Sequence, residues 1–295
     1  MADEKIYEAI YKNVEKIPGY SRYSKLAKEI LKQKFPLKYI MGVEDCYYGI
    51  AKTLIDKIDD KSKPLICEVG CGQGYLTYAL VNAGYNAIGL DISKKAIELA
   101  KIRYGDHYHA TDLKAFIETH GRKPSYIISS ELIEHLSDPV LFIGEMLDCL
   151  APGGSLILTT PNKLPTDNQI WDTELPPVHL WHFSRRGLIG IARQLSSGIE
   201  FVNLSEFYKI HIKFRKKSDS IKRLQVSIMD ENYKLIKLNE KENNNSNISL
   251  KSVVRNLLPL NLIAKIQKIR MAISGYYVCD DNTSLTLCAI FTRKT

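Results

Sequence analysis

Between residues 65 and about 204, short apolar runs alternate with longer stretches whose apolar residues recur every three or four positions. This alternation constrains the fold more than any other feature. Apolar runs too short to be helices read as buried strands, and the longer periodic stretches read as amphipathic helices. LICEVG, AIGLDI, YIISSEL and SLILTTPN read as strands, YHATDL as a strand end, and EFVNLSEF as a later strand. YLTYALVNAG, SKKAIELAKIRYG, AFIETHG, PVLFIGEMLDCL and RRGLIGIARQL read as the intervening helices, with Ser93 as an N-cap. Such alternation predicts an α/β fold: a doubly wound, mostly parallel sheet covered by helices on both faces.

The flanks depart from this rhythm. Residues 1–60 carry helical periodicity in IYEAIYKNVEKI and YSKLAKEILKQKF, separated at Pro18-Gly19, with a third helix over 44–58. This N-terminal helical region is expected to act as a cap, with Tyr20, Tyr23, Tyr47 and Tyr48 either forming one wall of a cleft or serving only as packing. The core is expected over 61–208 plus 276–295, because the apolar run SLTLCAIFTRK must rejoin the sheet as a strand. The intervening 209–275 is expected to form an inserted basic α/β appendage over the acceptor side of the cleft. It holds a hairpin reading at LQVSIMDENYKLIKL and a low-complexity loop at 241–247.

Charge is concentrated in that insert. The chain has a formal net charge of +8, which favours anionic partners in general. Lys209, Lys213, Arg215, Lys216, Lys217, Lys222 and Arg223 face one acid, Asp219, and residues 249–274 carry basic and apolar residues with no acid. A basic amphipathic helix of this kind either caps a cleft or lies on an acidic membrane surface, within reach of a lipid-linked substrate. No apolar run is long enough to span a bilayer, and the N-terminus lacks an apolar signal segment. The expected location is cytoplasmic, with peripheral contact at a membrane surface. The six cysteines form no C-x-x-C pair, so zinc-binding spacing is absent and they read as small buried hydrophobes.

Glu68-Val69-Gly70-Cys71-Gly72-Gln73-Gly74 lies between the first strand and its helix. Glycines there allow a sharp turn and let a ligand lie against the backbone. The spacing is G-x-G-x-G, unlike the G-x-G-x-x-G of dinucleotide sites. The acid two residues upstream of Gly70 suits a cationic ligand and would repel a pyrophosphate. Asp91 ends the next strand, 21 residues after Gly70, and Asp112 ends the third, in HATDL.

ICEVGCGQG, GLDIS, ATD, SSELIEHLSDP, LAPGGSLILTTPN and HLWHFSRRGL, in this order, resemble the small-molecule class I S-adenosylmethionine (SAM)-dependent methyltransferases. The likeness is closest to the ubiquinone-biosynthesis and polysaccharide-cluster types. It implies a seven-stranded Rossmann-like sheet whose last strand is antiparallel and inserted beside its neighbour. It also implies SAM bound across the C-terminal strand ends, with S-adenosylhomocysteine as product. In that pattern Glu68, Gly70, Gly72 and Gly74 form the cofactor loop. Asp91 takes the ribose hydroxyls, Asp112 the adenine amino group, Ile92 and Leu113 sandwich the adenine ring, and Ser130 or Glu131 lies near the methionine part.

The chemistry is expected just beyond the fourth and fifth strands. His135 and His179 are the general-base candidates, a neutral imidazole being suited to that task near pH 7, with Glu131 beside them and Ser130, Glu134, Asn162 and His182 also in place. The expected activity is O-methylation of a small molecule or glycan by in-line transfer, without a metal. One alternative is a metal-assisted RNA 2′-O-methyltransferase, which E-x-x-E-H with a distal His resembles. If helical, Glu131, Glu134 and His135 would share one face and join His179 around a divalent ion. No RNA-binding module accompanies them, so nucleic acid is not the expected partner. The other alternative is a SAM-binding protein without catalysis.

Overall fold

The computed structural model describes residues 21–59, 63–164, 175–211, 213–216, 271–272 and 276–293. The first N-terminal helix, Tyr20, the hairpin at 224–238, the loop at 241–247 and nearly all of the basic helix lie outside the described residues.

The helices are α1 (Ser21–Glu29), α2 (Pro36–Met41), α3 (Asp45–Lys57), α4 (Tyr75–Asn82), α5 (Lys94–Tyr104), α6 (Leu113–His120), α7 (Pro139–Cys149), α8 (Arg185–Gln194) and α9 (Ser205–Ile210). The strands are β1 (Ile66–Val69), β2 (Ala87–Leu90), β3 (Tyr108–His109), β4 (Tyr126–Ser130), β5 (Ser155–Pro161), β6 (Ser197–Phe201), β7 (Phe214–Lys216), β8 (Tyr276–Val278) and β9 (Thr286–Arg293). Seven strands form one sheet in the order β3-β2-β1-β4-β5-β9-β6. Pairing is parallel from β3 through β5, and β9 runs antiparallel between β5 and β6, as the family resemblance implies. The chain reverses its direction of travel across the sheet between β1 and β4. That is the switch point where open α/β sheets leave a crevice for ligands.

Successive strand residues feed opposite faces, as the two-residue pleat requires. Ile66, Ile128 and Ile157 pack with α3, α4 and α5 on one face, whereas Cys67, Ile127, Leu156 and Leu158 pack with α6, α7 and α8 on the other. The N-terminal helices cover the first face. They are tied to the end of the chain by Asp45, which accepts a hydrogen bond from the Tyr208 hydroxyl; that oxygen in turn accepts the Leu285 N–H at 2.8 Å. Ser93 caps α5 as expected, its Oγ accepting the Ala96 N–H at 3.2 Å. Strands β7 and β8 pair as a separate two-stranded ribbon, which brings the two ends of the basic insert together.

Two sequence readings need correction. EFVNLSEF is not one strand: β6 stops at Phe201, and Ser205 begins α9. The chain turns because Asn203 Oδ1 accepts the Ser205 N–H at 2.8 Å and Asp281 Oδ1 accepts the Leu204 N–H at 2.8 Å, so side chains satisfy backbone donors that a ladder would otherwise need. Asp112 does not end the third strand either. β3 stops at His109, and Asp112 is the N-cap of α6, its Oδ1 accepting the Ala115 N–H at 2.9 Å.

Candidate active site

A cavity of about 710 Å³ opens beside the switch point, at the C-terminal ends of β1, β2 and β4 and between α6 and α7. Its walls bring together Gly70, Asp91, Ile92, Asp112, Leu113 and Glu131 from the expected site. Gly72, Gly74, Ser130, His135 and His179 are not part of its lining.

The glycine loop is shaped by its surroundings. Gly70 and Gly74 adopt φ +75° and +80°, left-handed values that disfavour any side chain. A Cβ on Gly74 would lie 2.7 Å from the Tyr108 ring and 2.8 Å from Ala100, and one on Gly70 2.8 Å from Leu132. Tyr108 also donates its hydroxyl to the Gly74 carbonyl at 2.7 Å. Gly74 thus serves close packing under the loop.

Glu68 differs from expectation. It lies beneath the loop, not in the cavity, and Oε2 accepts both the N–H (2.9 Å) and the hydroxyl (2.5 Å) of Thr77 in the first turn of α4. Burial pushes its carboxyl up to about 7 against these two hydrogen bonds. A side chain on β1 that points into the layer below can brace a helix start but cannot meet a ligand above the strand ends.

Asp91 lines the cavity just past the end of β2. Oδ2 accepts the Gly72 N–H at 2.9 Å and Oδ1 the Ser93 N–H at 2.8 Å, which fixes the carboxylate at the cavity mouth while leaving each oxygen a further acceptor site. Burial raises its pKa, and the two backbone donors oppose that. Ile92, 41% exposed, offers an apolar surface beside it. Glu131 stands out at the other end. Its φ is +49°, a strained value for a residue with a side chain, and its buried Oε1 has no hydrogen-bond partner among the described residues. Burial first, then the charges of Glu134 and Asp45, push this carboxyl well above the usual carboxylate range, while a hydrogen bond with the Thr159 side chain and then the charge of Arg22 act in the opposite direction. These residues fit SAM: the buried Glu131 Oε1 can accept from a cationic group, and the fixed Asp91 carboxylate beside Ile92 can accept from a nucleoside's hydroxyls.

Beyond β4 and β5, a second group assembles. The expectation that Glu131, Glu134 and His135 share a helical face is not met. Only Ile133–His135 turn, as a 3-10 helix, and Glu131 precedes it in its left-handed conformation. His179 nevertheless reaches Glu134 and His135. The loop carrying it docks through the Leu180 and Trp181 N–H groups, which donate to the Glu134 carbonyl at 2.8 and 3.1 Å. The Trp181 indole adds a hydrogen bond to the Leu136 carbonyl at 2.8 Å.

The His135 and His179 rings meet edge-on, 4.6 Å between centroids. His135 Nδ1 lies 2.7 Å from the Val178 carbonyl, which can only accept, so Nδ1 carries the proton and the lone pair of the neutral ring is on Nε2. Nε2 lies 3.8 Å from Glu134 Oε1, and Glu134 Oε2 accepts the Thr160 hydroxyl at 2.9 Å. Burial, then the neighbouring His135 and His182, lowers His179 to about 2, which keeps it neutral. One ligand-capable atom from each of Glu134, His135 and His179 lies within 4.8 Å of the others, so this trio also has the spacing of a metal site. Asn162 is committed to structure, its Nδ2 donating to the Ser284 carbonyl at 2.9 Å.

Sequence reasoning missed Thr77, Thr160 and Arg22. Nothing in their local pattern marks them, because each acts through a partner brought close only by the fold.

The profile of a family described as a methyltransferase domain matches residues 47–195. A ubiquinone biosynthesis O-methyltransferase of Hydrogenovibrio crunogenus is 24% identical over 168 residues, covering 49% of this chain and 69% of that protein. One from Brucella anthropi is 32% identical over 103 residues, covering 33% of this chain and 41% of that protein. Coverage of such relatives therefore ranges from less than half to somewhat over two thirds of their length. A solved SAM-dependent methyltransferase from Archaeoglobus fulgidus aligns over 90% of this chain and 99% of its own at 17% identity, with a TM-score of 0.43.

Proposed function

We propose, from the premise that the chain belongs to the methyltransferase-domain family and is a class I SAM-dependent enzyme, that it O-methylates a small molecule or glycan. The observation that carries this reading is the cavity that unites Gly70, Asp91, Ile92, Asp112 and Leu113 with the unpartnered Glu131 oxygen. The curated relatives, named as ubiquinone biosynthesis O-methyltransferases, favour a hydroxyl acceptor.

SAM, when bound, supplies a methyl group already activated on a sulfonium. The protein then has to hold the acceptor in line and take its proton. Positioning alone is worth roughly 7–11 kcal/mol in favourable cases. Asp91 orients the ribose, and Asp112 with Leu113 receives the adenine. Glu131 faces the positively charged end, where a buried carboxylate is most effective. His135 accepts the hydroxyl proton at Nε2, because Nδ1 is occupied by the Val178 carbonyl. His179, held neutral, packs edge-on against His135 and acts as a positioning residue.

A second reading has its own observation. The Glu134, His135 and His179 trio would hold a divalent cation, and His135 Nε2 would then be a ligand instead of a base. No helix among the described residues is long and apolar enough to cross a membrane. Contact with a lipid-linked acceptor remains part of the proposal through the basic insert. Turnover of quinols, catechols, glycans and short RNAs, each with and without EDTA, tests both readings. Metal-independent methylation of a hydroxyl on a small molecule or glycan supports the first. Activity lost to EDTA and restored by magnesium or manganese supports the second. SAM binding without turnover on any acceptor would point to a non-catalytic protein.

A further inference from the structure

The cavity is longer than the expected cofactor residues account for. Past Asp112 and Leu113, it continues between α6 and α7, lined by Ile117, Leu136, Phe142, Met146 and Cys149. Ile117 lies four residues after Leu113, and Phe142, Met146 and Cys149 are spaced by four and three, so each helix turns one apolar stripe toward this lane. From Phe142 to Cys149 the α7 stripe rises about 10 Å. Its charged residues, among them Lys114, Glu118 and Glu145, are exposed and sit at the rim. The Lys123 ammonium donates to the Asp148 carbonyl at 2.9 Å, across the far end of the lane.

We propose that this lane is a subsite for an apolar group attached to the exocyclic amino nitrogen of the cofactor's adenine. The proposal rests on the cofactor reading above. With Asp112 at the adenine amino group, a substituent on that nitrogen leaves the ring at the top of α6. It then runs along Leu113 and Ile117 toward Met146. The cofactor residues and the lane line one continuous cavity, so a single molecule can reach from one into the other. The lane sets how strictly this chain selects unmodified SAM, a question of tolerance and not of catalysis.

The test is calorimetric and needs no methyl acceptor. S-adenosylhomocysteine and its form carrying a benzyl group on the adenine amino nitrogen are titrated into the full chain and into Ile117→Trp, which fills the lane. The wild type is expected to bind the benzyl form within about tenfold of the parent. Ile117→Trp is expected to keep parent affinity within about threefold and to lose the benzyl form by more than about thirtyfold. Thermal unfolding checks that the variant is folded, and Met146→Trp serves as the second blocker if it is not. Wild type that binds the parent but rejects the benzyl form by more than tenfold overturns the lane and leaves the cofactor reading intact. So does a folded blocker that binds both alike. Wild type that binds neither compound overturns the cofactor reading and this proposal with it.

Discussion

The Gly72 N–H donates to Asp91 Oδ2 at 2.9 Å, so the glycine loop and the acid at the end of β2 hold each other in place. Asp91→Ala removes both the ribose acceptor and the loop's anchor. A hydrogen bond to a charged group is worth about 1.5–3 kcal/mol, so S-adenosylhomocysteine is expected to bind at least about tenfold more weakly. Asp91→Asn, which keeps one acceptor oxygen, should fall between. Calorimetry that returns wild-type affinity for the alanine variant would rule out the ribose assignment.

Glu68 makes folding stability depend on pH. Its carboxyl is raised from 4.5 to about 7 in the folded chain. A raised folded pKa gives stability that is fully present below the unfolded value and lost as pH rises through the folded one. Between pH 4.5 and 8 this group alone should cost about 3 kcal/mol. Glu68→Gln keeps an oxygen that can accept from Thr77 and removes the ionisation. Urea unfolding without cofactor at pH 5 and pH 8 should show a steeper loss in the wild type than in the variant. Equal losses in both would contradict the assignment.

Gly74→Ala meets two penalties, a left-handed backbone and a Cβ within 2.8 Å of Tyr108 and Ala100. Strain and overpacking each cost about 1–3 kcal/mol, so the variant should lose about 2–6 kcal/mol by denaturant titration. A loss below about 1 kcal/mol would mean that the loop repacks freely.

Much of this was legible in the sequence, for physical reasons. The parallel sheet and a terminal strand that rejoins it follow from apolar periodicity and from SLTLCAIFTRK, both local signals, whereas the strand's antiparallel, inserted place comes from the family resemblance. Asp91 and Gly70 stand where strand ends put them. Glu68 was misread because a side chain's face depends on the register of a four-residue strand, and Thr77, nine residues on, is the partner that reveals it. His179 was named, but its contact with His135 depends on a loop docked by backbone hydrogen bonds to the Glu134 carbonyl, which no residue pattern encodes. The strained backbone of Glu131 and its Oε1 without a hydrogen-bond partner are likewise visible only in three dimensions.

His135 and His179 should separate kinetically. Loss of a general base typically costs about 10²–10⁴-fold in rate, so His135→Gln should lower kcat by that order with little change in cofactor affinity. His179→Asn should cost less and leave the alkaline pH-rate plateau in place, since His179 is already neutral. A larger kcat loss in the His179 variant than in the His135 variant would reverse the assignment of base and positioning residue.

The most direct measurement is calorimetric titration of S-adenosylhomocysteine into the full chain. Saturable one-site binding, with a Kd of about 1 mM or tighter, is the result predicted from the Asp91, Asp112 and Glu131 cavity. No binding at millimolar concentrations by a folded chain would contradict the account at its base.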